Sequence, residues 1–140
     1  MATQDNITVG RALLDALTAH DLSPWEAVLA DDVVCSYPGF RGENGKAAAK
    51  AYNAPFLVAF SDLHFDVLQT VAEGDTVVYV WRATGTHDGP LALPTGTVPP
   101  TGKRGDVPGT LVATIKDGKI VREETYWNQI ELLAQLGLMG

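Results

Sequence analysis

Glu124, Tyr126 and Asn128 fall two residues apart in the run ETYWNQ, a spacing that could support proton transfer. Alternation along a strand places Ile120, Arg122, Glu124, Tyr126 and Asn128 on one face and Val121, Glu123, Thr125 and Trp127 on the other. If the first set lines a pocket, Glu124 is a partly buried carboxylate. Desolvation then raises its pKa toward the range of a general base. Tyr126 and Asn128 would donate hydrogen bonds to a developing oxyanion. Two other placements of Glu124 remain open: a structural ion pair with Arg122 or Arg82, or a bulge that turns it outward. His87, in GTHDG, stands at a strand end beside a Pro/Gly-rich segment. It could orient Asn128 or act as the base, or be a loop histidine bonded to backbone.

Other chemistry-bearing residues read more plainly. Trp25, Tyr37, Tyr52 and Phe56 suit an apolar wall against which a flat ligand stacks, or simply a core. His64 shares a strand face with Asp66 and reads as surface. His20 follows the first helix and reads as a partner for its C-terminal dipole. Cys35 is a lone strand cysteine, a small core hydrophobe. Three scattered histidines have no metal-ligand spacing, and no phosphate-binding glycine loop is present. No metal and no cofactor are expected.

These residues need elements to hold them. DNITVGRALLDALTA (5–19) has helical periodicity, with Asp5 as a cap. Ser23-Pro24-Trp25-Glu26 resembles a second helix start, with Ser23 as cap and Pro24 in the first turn. VVCSYP (33–38) is a short strand. A third, alanine-rich helix lies within 42–60, with Pro55 expected to kink or end it. LHFDVLQTVA (63–72) alternates with Leu63, Phe65, Val67 and Val71 on one face, and TVVYVWRATG (76–85) is β-branched and aromatic. Residues 85–103 carry four prolines and read as a long structured loop, a lid or binding edge. Two strands, 106–115 and 119–127, flank Asp117-Gly118, a two-residue hairpin signal. NQIELLAQLG ends the chain as a small helix capped by Gly137.

The order predicts one α+β domain over residues 1–140: a curved antiparallel sheet, shaped as a cone, packed on N-terminal helices with a pocket between. An aromatic outer sheet face, drawn from Tyr79, Trp81 or Trp127, would mark a homodimer interface. Hydrophobic residues make up 46% and charged residues 19%, which excludes a disordered chain. The net charge of −7 argues against nucleic acid. No apolar run approaches the roughly 20 residues of a membrane span. One cysteine, and no basic-then-apolar leader in MATQDNITVG, fit a cytoplasmic protein.

Three stretches, FSDLHFDVLQTVAEGDTVVYVWRATGTHDG (60–89), PPTGKRGDV (99–107) and IKDGKIVREETYWNQIELLAQLG (115–137), resemble the SnoaL-like polyketide cyclases of the nuclear-transport-factor-2-like superfamily. The resemblance covers the C-terminal two thirds well and the helical N-terminus loosely. It implies an α+β barrel with an internal cavity, usually oligomeric, and cofactor-free aldol closure of polyketide esters. The family's general acid/base is an aspartate at the end of the last strand, in a pattern similar to WDxxxLLxQLG. This chain has WNQIELLAQLG, with Asn128 at that place. An amide donates a hydrogen bond but shuttles no proton near neutral pH. Limonene-type epoxide hydrolases of the same superfamily offer a second likeness. Arg82 matches their arginine and so becomes a ligand-binding candidate, but Thr84 and Asn128 replace their carboxylates.

Together these readings predict a cofactor-independent enzyme, an isomerase or lyase acting beside the carbonyl of a small apolar substrate. Glu124 or His87 would be the base, and Asn128 and Tyr126 the oxyanion donors. The alternatives are a non-catalytic ligand carrier on the same fold, or an interaction module whose cone is plugged by side chains.

Overall fold

The computed structural model describes residues 3–139, less the side chain of Glu43. Helix α1 (Thr3–Thr18) turns Asn6, Gly10, Leu13, Leu14, Ala16 and Leu17 inward at helical spacing. It starts before the expected cap, so Asp5 sits in its first turn, where a negative charge suits the helix dipole. Helix α2 (Trp25–Val28) is a single turn that drives Trp25 into the core, where its indole donates to Leu13 O at 3.3 Å. Ser23 is not its cap; the cap position is Pro24, and Ser23 N–H donates to Asp21 Oδ1 at 3.0 Å.

Strand β1 (Leu29–Tyr37) pairs with a short β2 (Phe40–Asn44). The third helix therefore starts later than expected, as α3 (Lys46–Ala59), and it runs through Pro55 to Ala59. Strands β3 (His64–Glu73) and β4 (Thr76–Thr86) form one hairpin. The Pro/Gly segment holds a small hairpin of its own, β5 (Leu91–Leu93) and β6 (Gly96–Val98). Strands β7 (Arg104–Lys116) and β8 (Lys119–Trp127) meet at Asp117 and Gly118, whose φ values of 52° and 76° suit the expected two-residue turn. Helix α4 (Gln129–Gln135) follows.

The main sheet has the order β2-β1-β8-β7-β4-β3. The α+β class and the curved sheet against helices are as the sequence indicates, but the sheet is mixed. Strand β1 lies parallel to β8, while its other neighbouring strands run antiparallel. A parallel neighbour needs a long connection, and residues 38–118, more than half of the chain, lie between these two.

Of the register shifts in the sheet, those in β8 and β3 exchange the strand faces read from the sequence. On β8, Ile115 pairs with Ile120 but Thr114 pairs with Arg122, so Val121 is an extra residue. Ile120 and Glu123 are consequently both inward and buried, three residues apart. On β3, Val67 pairs with Trp81 but Gln69 pairs with Val80. Val71, expected on the apolar face with Phe65 and Val67, is turned out and exposed, and Ala72 packs against the core instead.

The inner face of the central strands carries Val77, Tyr79, Trp81 and Ala83 from β4 and Val107, Leu111, Ala113 and Ile115 from β7. Gly109 interrupts the β7 row for a reason: a Cβ there would overlap the Trp81 indole, whose Cε2 would lie only 2.7 Å away. The indole thus lies directly against the β7 backbone. Tyr79, Trp81 and Trp127 all belong to the inner side, so the outer face is not aromatic apart from Tyr126. Among the described residues no helix is long and apolar enough to cross a membrane.

Candidate active site

Between the helices and the concave face of the sheet lies a cavity of about 790 Å³ of atom-free space, its open mouth included. Leu13, Leu14, Leu17 and Trp25 come from the N-terminal helices, and Tyr52, Asn53 and Phe56 from α3. Trp81, Val107 and Leu111 come from the central strands, and Glu123, Thr125 and Trp127 from β8. Leu132 of α4 closes one side. Trp25, Tyr37, Tyr52 and Phe56 line the cavity, where the sequence placed an apolar wall. Tyr37 and Tyr52 stack with centroids 4.1 Å apart at 4°, and Phe56 meets Trp127 edge to face at 5.7 Å. Such a wall presents broad, flat apolar surface to a ligand.

Among the described residues the one ionisable carboxyl in this wall is Glu123, which is 3% exposed. Burial pushes its pKa up to about 7, against hydrogen bonding with Tyr37 and Thr125 that pulls it down. Thr125 Oγ donates to Oε2 at 3.4 Å, while Oε1 has no partner. Asn53 Nδ2 donates to the Tyr37 hydroxyl at 3.1 Å. That leaves the Tyr37 proton free to be donated. Burial first, and the Glu123 charge second, push the Tyr37 phenol well above its ordinary value, so it stays a donor. Tyr52 is held differently: its oxygen accepts from Trp127 Nε1 and Gln129 Nε2, each at 3.2 Å.

None of Glu124, Tyr126, Asn128 and His87 lines this cavity. The β8 bulge is the reason for the first two: beyond Val121 it exchanges the two faces, so Glu123 points in and Glu124 points out. Glu124 accepts from Arg122 Nε at 3.2 Å and from the Tyr126 hydroxyl at 2.9 Å, in an exposed cluster. Arg82 is likewise outward, in a two-pronged ion pair with Asp106 that holds the Asp106 carboxyl below its usual range. Asn128 is the N-cap of α4: its Oδ1 accepts from Ile130 N at 3.0 Å and Glu131 N at 3.2 Å. His64 bonds Asp66 at the surface, as expected, at 3.0 Å. His20 Nε2 lies 3.0 Å from Phe60 O.

His87 is fully buried, bonded to backbone as one reading allowed. Its Nδ1 accepts from Thr101 N–H at 3.2 Å. His87 N donates to Lys103 O and Gly102 N donates to His87 O, both at 2.9 Å, which closes the segment between them. Asp62 accepts from Thr86 N at 2.7 Å, and Asp88 accepts from Ser61 N at 3.0 Å. Gln135 binds both backbone groups of Asp106, accepting at 2.7 Å and donating at 2.8 Å, and so fastens α4 to β7. The chain then turns at Gly137 (φ 76°), with Leu138 N donating to Leu133 O at 2.9 Å.

Glu123 is the site residue that alternation assigned to the wrong side. One signal did point to it. It shares its strand face with Thr125 and Trp127, whereas Glu124 has a complementary charge, Arg122, two residues away on its own face.

A curved mixed sheet closed over helices is an architecture of the nuclear-transport-factor-2-like kind. The chain belongs to the SnoaL-like polyketide cyclase family, whose model matches residues 7–136. Among solved structures it is similar to a candidate SnoaL-like polyketide cyclase from Jannaschia sp. CCS1, at 23% identity over 99% of this chain and 94% of that one, with TM-score 0.85. AclR from Streptomyces galilaeus, a candidate hydroxylase, is 25% identical over 99% and 89% of the two chains, with TM-score 0.83. IdmH from Streptomyces antibioticus, a candidate polyketide cyclase, is 26% identical over 98% and 99%, with TM-score 0.76. No match is found among the curated proteins.

Two outcomes follow for stability. Asn128→Ala removes the α4 cap and should cost about 1 kcal/mol in urea unfolding. Asn128→Asp should keep the cap and most of that stability. For Glu123 the folded pKa, about 7, lies above the ordinary 4.5. The folded state therefore holds the proton more tightly, and stability falls as pH rises from about 4.5 through 7. Glu123→Gln should lack this loss, gaining on the wild type by on the order of 3 kcal/mol across that window. Parallel urea melts at pH 4.5 and 8 measure the difference.

Proposed function

We propose that the protein catalyses cofactor-independent proton-transfer chemistry beside a carbonyl, such as cyclisation or isomerisation, on a flat apolar substrate held in the cavity. The observation that carries this reading is Glu123: a carboxyl on the wall of a mostly apolar chamber, whose pKa burial pushes up to about 7. Family membership and the candidate polyketide cyclase IdmH support the substrate type.

In the reaction so read, the Glu123 carboxylate removes a proton from the carbon next to a substrate carbonyl. The electron pair moves into an enolate, whose oxygen accepts a hydrogen bond from Tyr37. The enolate carbon attacks a second carbonyl of the same substrate and forms the new carbon–carbon bond. Glu123, now protonated, returns its proton to the resulting alkoxide. For isomerisation the same proton returns to a different carbon. The aromatic wall excludes water from the enolate and holds the reacting carbons together.

Two copies pair through the outer sheet face in this reading, which offers Val71, Val78, Val80 and Val112. Light scattering on the protein at micromolar concentration should give twice the 14.9 kDa chain mass. A single-chain mass overturns the pairing.

The catalytic reading is tested with a panel of aromatic polyketide methyl esters. Activity should rise with pH to a plateau above an apparent pKa near 7, the value of Glu123. Glu123→Gln should lower kcat by roughly 10²- to 10⁴-fold. Turnover that survives this change, or a bell requiring a second titrating group, overturns the assignment. Tight binding without turnover across the panel favours the carrier reading, for which the nearly all-apolar wall also speaks.

A further inference from the structure

Two glycines meet across the central strands: Gly85 of β4 pairs with Gly105 of β7, and both line the cavity. Neither has a positive φ, so the backbone there suits any residue. Space is what excludes a side chain. A Cβ on Gly105 would lie 2.7 Å from Leu132 Cδ1 and 3.8 Å from Phe60 Cε1, and one on Gly85 would lie 3.2 Å from Phe60 Cβ. The bare backbone of the pair is covered by these two side chains, Phe60 and Leu132, which are buried and also line the cavity.

Phe60 ends α3 and packs against the His87 ring with centroids 5.5 Å apart. Leu132 is the one buried residue of α4, a helix held at its start by the Asn128 cap and at its end by the Gln135 hydrogen bonds to Asp106. Asp106 is the chain neighbour of Gly105, so this clamp keeps Leu132 over the glycine pair. The register sets this end of the cavity far from its carboxyl. Glu123 pairs with Ala113, eight residues from Gly105 along β7, or roughly 26 Å of strand. Leu111 and Val107 of β7 line the wall between.

We propose that Leu132 is a specificity-determining residue: seated on the Gly85–Gly105 pair beside Phe60, it limits how far an apolar ligand extends along the cavity from the Glu123 end. This rests on the cavity being the working site described above. Interiors are densely packed, so a ligand longer than the space before Leu132 must displace a side chain or leave part of itself in water. Either weakens the gain from added length. Leu132→Ala opens room for about two or three methylenes and makes the glycine backbone the new end.

The test uses the linear 4-alkylphenols from ethyl to nonyl, with affinities read by tryptophan fluorescence and contacts read from leucine-methyl NMR signals. In the wild type, affinity should rise about three- to fourfold per methylene and then level off. In Leu132→Ala the levelling should come about two methylenes later, so the longest homologues bind roughly tenfold more tightly than they bind the wild type. Adding Gly105→Ala to that variant, where the obstructing Cδ1 is gone, should bring the cut-off back by about one methylene. In the wild type, only homologues at or beyond the cut-off should shift the Leu132 methyl signals. Leu132→Met assigns those signals by loss, so the spectra decide the matter even if Leu132→Ala does not fold. A cut-off that ignores Leu132→Ala, Leu132 methyls that no homologue shifts, or no binding anywhere in the series overturns the proposal. If Glu123→Gln abolishes ester turnover while the cut-off ignores Leu132, the length limit fails and the catalytic reading stands. If the cut-off moves with Leu132 but no ester is turned over, the length limit stands and the catalytic reading fails.

Discussion

One extra residue in β8 decides what the cavity contains. Val121 has no counterpart on β7, so the strand changes faces between Ile120 and Glu123. Ile120 continues the core row, and the next inward residue is a carboxylate among aromatic rings. Without the bulge, Arg122, Glu124 and Tyr126 would enter the chamber and Glu123 would sit in water. The high proton affinity of Glu123, the protonated Tyr37 beside it and the outward Arg122–Glu124–Tyr126 cluster all descend from that irregularity.

The rest of the sheet holds this arrangement in place. Gly109 admits the Trp81 indole against β7, and a Cβ at Gly105 would meet Leu132 Cδ1 at 2.7 Å, so α4 packs closely over the strand. Asn128 starts that helix in the right place by capping it, and Gln135 ties it to Asp106. His87 fastens the segment containing the β5–β6 hairpin through Thr101 and Lys103. The most recognisable short motifs of the sequence, GTHDG, PPTGKR and QLG, thus meet largely as a clasp that closes the cone. Their polar groups satisfy backbone that would otherwise be buried unpaired.

The cavity itself follows a simple division of labour. Stacked and edge-on aromatics provide shape, and most wall polar groups bond one another.

The sequence by itself determined most of the element types, the α+β class and the family, and it offered Trp25, Tyr37, Tyr52 and Phe56 as either a wall or a core. Local periodicity and turn chemistry suffice for the first two, and ordered motifs for the family. It did not determine which face of β8 looks inward, because strict alternation carries no information about an inserted residue. Nor did it separate Asn128 as a helix cap from Asn128 as a pocket amide, since both need the same side chain at a strand–helix junction. The parallel pairing of β1 with β8 joins segments more than half the chain apart, and only the packed structure brings them together. Burial, likewise, is a property of the assembled cone. Glu123 and Glu124 are chemically identical neighbours, and tertiary structure alone removes one from water and leaves the other in it.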